Sequence, residues 1–181
     1  MNQMDTYLDA FEQKLLDNLL RIAKADGCLG NTHLESEDLT NKFESFLSDY
    51  LADAVPQIVD YPTVAIGWAA FVGMGVAFVW DGDVERFENL AYRDFYGPRG
   101  FDDLDDHVVD DVLCLNEDEA QGVVQTIRKL AQFSYSAIRS ENIEPQSPMA
   151  FHVYVRTVRI MFAIGAAMQL YRMGYKMERV Y

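Results

Sequence analysis

Apolar residues recur along this chain every three or four positions, and polar residues fill the faces between them. Leu8, Phe11, Leu15, Leu19 and Ile22 form one stripe, with Asp5, Asp9, Glu12 and Asp17 opposite. That spacing predicts an amphipathic helix over 4–25, closed by Gly27. Thr32 and Glu35 have capping-box spacing, with Ser36 as an alternative cap. Leu39, Phe43, Phe46, Leu47, Tyr50 and Leu51 then give the inner face of a second helix, ended by Pro56. Pro62 opens a third helix over 62–80, and Asp81-Gly82-Asp83 interrupts the pattern before a fourth over 84–95. A loop at Gly97-Pro98-Arg99-Gly100 leads into a short helix, DDLDDHVVDDVL, whose more apolar side holds Leu104, His107, Val108 and Leu113. Asn116 and Glu119 suit the cap of a helix reaching Ser140, and Ser147-Pro148 the start of one over 149–177. No stretch alternates with period two. The pattern predicts an all-α fold, one domain over 1–181, built as a bundle of about seven helices.

The segment VAIGWAAFVGMGVAFVW, residues 64–80, carries no charge. It is shorter than a typical spanning helix, and its flanks are acidic (Asp60, Asp81, Asp83, Glu85). The expectation is therefore a buried core helix and no membrane contact. On a helical wheel Ala69, Ala70, Gly73 and Ala77 share a smooth stripe, while Val64, Trp68, Phe71 and Phe78 lie broadly opposite. Gly75 lies off the stripe. The last helix has its own smooth patch, Ala163, Ala166 and Ala167. The two are expected to form the central pair, wrapped by the others. Antiparallel packing of the two patches would bring Arg156 and Arg159 near Trp80, Asp81 and Asp83.

Charge adds a partition. The net charge is −14, and of 29 acidic residues only Glu141, Glu144 and Glu178 lie beyond residue 119, against more than half of the 15 Lys and Arg. The basic last third is expected to lie against the acidic remainder. Such an acidic surface opposes nucleic acid and anionic membranes as partners. Two unpaired-looking cysteines, Cys28 and Cys114, and a start without a basic n-region or apolar h-region give a cytoplasmic protein as the default.

Candidate chemistry is sparse. His152, Arg156 and Arg159 share one face of the last helix, and with Trp80 and Asp81 they would make either an ion-pair network or a small-anion site. In DDLDDHVVDD the residues Asp103, Asp106, His107 and Asp110 share a helical face, which suits a hard ion such as Mg²⁺ or Mn²⁺ or simply solvent. Glu85-x-x-Glu88 followed by Asp103-x-x-Asp106, with Asp81 one turn earlier, resembles the acidic pairs of the all-α nucleotide pyrophosphohydrolases. The resemblance is confined to residues 81–106 and lacks that family's double-Glu opening. It implies a metal-dependent hydrolase of phosphate-containing small molecules with Glu85, Glu88, Asp103 and Asp106 as ligands. There is no ExxH, HExxH, P-loop or nucleophile elbow, and no catalytic residue is singled out. The leading expectation is a non-enzymatic interaction or binding protein without cofactor. It would engage a basic protein partner through the acidic 101–119 surface, or self-associate.

Overall fold

The computed structural model describes residues 2–31 and 34–176. The helices are α1 (Gln3–Ala25), α2 (Glu37–Ala54), α3 (Pro62–Gly82), α4 (Val84–Glu88), the single turn α5 (Leu104–Asp106), α6 (Glu117–Ser140) and α7 (Pro148–Arg172). Among the described residues there is no strand. Side-chain caps form where the sequence places Asn116 and Ser147: Asn116 and Glu119 close a reciprocal capping box, and Ser147 Oγ accepts from the Ala150 amide. Thr32 lies outside the described residues, and Ser36 occupies the N-cap of α2 without a side-chain bond.

α3 and α7 form the central pair, and their contact is closer than side chains of ordinary size allow. A Cβ on Gly73 would fall on the Phe162 carbonyl oxygen and 2.9 Å from the Ala166 nitrogen. One on Gly165 would fall on the Ala70 carbonyl. Ala70 and Gly73, both on the predicted stripe, therefore meet α7 backbone to backbone. Gly75 serves a different neighbour: a Cβ there would stand 2.5 Å from Cε1 of the Phe95 ring.

The pair is parallel, which differs from the antiparallel expectation. Tyr154 near the start of α7 donates to the Ala65 carbonyl near the start of α3, at 2.8 Å. At the other end the Trp80 and Tyr175 rings lie 5.7 Å apart, and the Tyr175 hydroxyl donates to Asp81 at 2.5 Å. Arg156 and Arg159 are consequently remote from Trp80 and Asp81. The cause is the excursion between α3 and α6. From Gly82 the chain descends beside α3, seating Phe95 against Gly75 and the Phe101 carbonyl on Trp68 Nε1 at 3.0 Å. It then climbs back, so that Glu119 in the first turn of α6 pairs with Arg172 at the end of α7. α6 runs down and α7 runs up again, alongside α3. α1 is parallel to this pair, while α2 and α6 oppose it.

Three local expectations also change. The 84–95 segment is not one helix: α4 stops at Glu88, and Tyr92–Phe95 forms a separate 3₁₀ turn that buries Tyr92 and Phe95. The 101–112 segment is a 3₁₀ turn (Phe101–Asp103), α5, and a π-helical stretch (His107–Val112). α7 ends at Arg172, and Gly174 at φ +88° provides the left-handed termination.

Among the described residues, α3 and α7 are also the two helices long and apolar enough to cross a membrane, yet 72% and 83% of their apolar windows are buried inside the fold.

Candidate functional site

Four cations of the last third, Lys129, Arg156, Arg159 and Arg172, reach acids of the preceding part of the chain. Arg156 Nη1 binds Asp9 at 2.8 Å and Glu12 at 2.6 Å on α1, and Arg159 grips Glu44 on α2 through Nε and Nη2 at 2.8 and 3.2 Å. Arg172 binds Glu119 at 2.9 Å and Lys129 binds Asp26 at 3.0 Å. Asp9 and Glu12 hold the Arg156 guanidinium above its usual range. Lys129, then Thr126, holds Asp26 below the usual carboxylate range. Both arginines of the anion-site expectation thus sit in ion pairs that fasten α7 to α1 and α2. His152 is exposed, its ring beside Phe151. Trp80 donates to Asp38 at 3.3 Å. The structure brings Trp80 and Asp81 together with Tyr175, and not with the His152–Arg159 face.

The four carboxylates of the metal expectation are spread out. Glu85 and Glu88 are exposed on α4. Asp103 is buried and turned toward the preceding loop, where it takes the Arg99 amide at 2.9 Å and its guanidinium at 2.6 and 3.0 Å. Arg99 holds the Asp103 carboxyl low. Asp106 is exposed. Among the described residues no group of three or more His, Cys, Asp or Glu side chains is arranged to hold a metal ion. These residues do not form a ligand set.

What the 101–112 segment does present is an anchored acidic face. Phe101, Leu104, Val108 and Val109 are buried, and the π-helical turn is closed by the Leu113 amide on the Val108 carbonyl at 2.8 Å. Asp102, Asp106, Asp110 and Asp111 are left exposed. Arg99 is committed to Asp103, and the Asp111 carboxylate meets His107 Nδ1 at 3.0 Å. Asp105 differs from its neighbours: it is half-buried, and burial pushes its carboxyl up to about 6. The sequence showed the acids but not this inward turn, because the period of a mixed 3₁₀, α and π segment is not 3.6.

A second feature escaped sequence reasoning. A cavity of about 600 Å³ opens where the C-terminal ends of α1 and α7 meet the first turns of α6. Cys28, Glu119, Gly122, Tyr171 and Arg172 are among its walls. Its one local signal is Gly122, a glycine inside a helix.

Compared with known proteins, the chain matches no family model, no curated protein and no solved structure.

Proposed function

We propose that this is a non-enzymatic interaction protein that docks a basic protein partner on the acidic face of residues 101–119. The observation that carries this reading is the division of charge. Lys129 of α6 and Arg156, Arg159 and Arg172 of α7 are committed to α1, α2 and the first turn of α6, while Asp102, Asp106 and Asp110 face solvent with no Lys or Arg in salt-bridge contact among the described residues. Excess charge of one sign on a firmly anchored segment steers a partner of opposite sign and fixes its register. The π-helical turn supports the same reading, since such turns are rare and concentrate where a function offsets their poorer hydrogen bonding.

The same charge balance favours a cytoplasmic, water-soluble protein that avoids nucleic acid and anionic membranes. Parallel α3 and α7 support this. Spanning a bilayer with both would force residues 83–147, rich in Asp and Glu, through hydrocarbon.

The test is a comparison of baits in native lysate. Wild type and the triple variant Asp102→Lys, Asp106→Lys, Asp110→Lys are used at about 50 mM and about 200 mM salt. A basic protein retained by wild type at low salt, weakened at the higher salt and lost with the variant is the expected result. Equal recovery on both baits, or none at either salt, ends the proposal.

A further inference from the structure

The geometry points to a ligand site in the 600 Å³ cavity between the ends of α1 and α7 and the start of α6, built for a zwitterion with an apolar body: a short peptide with free termini. The volume lies within the range of drug-sized pockets, which run from about 300 to about 1,000 Å³.

Gly122 is the first argument. It sits inside α6, where glycine costs stability relative to alanine. The structure offers no packing reason for it: a Cβ at Gly122 would meet nothing within 4 Å, unlike those at Gly73, Gly75 and Gly165. Gly122 lines the cavity, so the missing side chain leaves helix backbone open to close approach by a ligand.

Charge is the second. Glu119 is held on both sides, by the Asn116 amide at 3.1 Å and by Arg172 at 2.9 Å, which fixes the wall without filling the space. Asp118 and Lys176 line the same cavity, and neither takes part in an ion pair among the described residues. A carboxylate and an ammonium left open on one cavity match the two ends of a zwitterion. The peptide ammonium meets Asp118, and its carboxylate meets Lys176 and the donors of Arg172 that Glu119 leaves free. Val123 and Met168, both buried, give an apolar floor for the side chains. Polyanions such as nucleotides are opposed by these carboxylates and by the protein's net charge of −14.

The thiol of Cys28 reports on the cavity. It lines the wall, half-buried and bonded to Thr126 Oγ1 at 3.5 Å, while Cys114 is exposed elsewhere and serves as internal control. Alkylation of both thiols by iodoacetamide is followed by peptide mass spectrometry. The probes are a randomised tripeptide pool with free ends and the same pool acetylated and amidated. The free-ended pool should slow Cys28 about threefold at twice its Kd and leave Cys114 unchanged. The capped pool should slow neither. Gly122→Leu should abolish the protection without lowering Tm, and Asp118→Asn, a surface change, should weaken binding about tenfold. Absence of protection, equal protection by the capped pool, or protection that persists in both variants would overturn the proposal.

Discussion

Glycine has three different meanings in this chain, and substitution separates them. At Gly165 a methyl group would occupy the position of the Ala70 carbonyl, which belongs to backbone and cannot turn aside. Gly165→Ala should therefore destabilise by about 2–3 kcal/mol despite its better helix propensity, measured by denaturant unfolding. Gly122→Ala meets open space and should stabilise by about 0.5–1 kcal/mol. A neutral or stabilising Gly165→Ala would show that the close approach of α3 and α7 is wrong, and a destabilising Gly122→Ala would show that its surroundings are not open. Gly75 could not be explained from the sequence because its partner, the Phe95 ring, comes from a segment whose path the helical pattern does not reveal. Asp105 gives a pH test of similar precision. Burial raises its folded carboxyl to about 6, above an unfolded value near 3.9, so the charged form is penalised in the fold above pH 6. This penalty fades as the pH falls from about 6 through about 4, below which folded and unfolded forms are both protonated. Asp105→Asn should stabilise by about 1 kcal/mol at pH 7.5, a figure discounted for partial exposure, and by almost nothing near pH 4. A constant difference across that range would place Asp105 in solvent.

The five long helices were legible in the sequence because each has a continuous apolar face and a recognisable start or stop. Asn116 and Ser147 cap α6 and α7, Pro62 begins α3, and Gly27 follows the end of α1 in the left-handed conformation. The connecting segments were not legible, and the reason is physical: their conformation is set by what they pack against. Tyr92–Phe95 turns as a 3₁₀ helix because Phe95 inserts against Gly75 while the hydroxyls of Tyr92 and Tyr96 converge on Asp53 of α2, Tyr92 at 2.9 Å. Burial, with Asp53 beside it, pushes the Tyr96 hydroxyl up to about 12. Removing the acceptor should loosen this turn. Asp53→Ala leaves the buried Tyr92 hydroxyl without a partner and should cost about 1–3 kcal/mol. Tyr92→Phe in the same chain should recover part of that loss, because the orphaned group is then gone. Simple additivity of the two changes would show that the hydroxyl was never dependent on Asp53. The direction of α7 against α3 belongs to the same class of hidden information. A helical wheel shows which face is smooth, but it looks the same for either direction, and only the return path through residues 83–116 decides.

Across the whole molecule, the candidate site and the stability follow from one asymmetry of charge. The sequence separated acids from cations, and the fold uses the separation to tie α7 to α1, α2 and α6. What the sequence did not disclose was which acids these ties would consume, and so it pointed to Arg156 and Arg159 rather than to the cavity by Arg172. Two opposing salt effects follow. Screening weakens the ion pairs of Arg156, Arg159, Arg172 and Lys129, but each is partly exposed and contributes modestly. Screening also relieves repulsion among the acids left over from those pairs, which account for the net charge of −14. Repulsion outweighs the pairs, because it acts among many charges within a Debye length while the pairs are few. Raising NaCl from about 10 mM to about 300 mM at pH 7.5 should therefore raise Tm by about 3 °C, near 1 kcal/mol for a chain of this size. A fall in Tm would mean that the cross-helix pairs outweigh the repulsion. In the Asp102→Lys, Asp106→Lys, Asp110→Lys variant the gain should shrink, since the same substitutions that abolish the acidic face also reduce the repulsion that salt relieves.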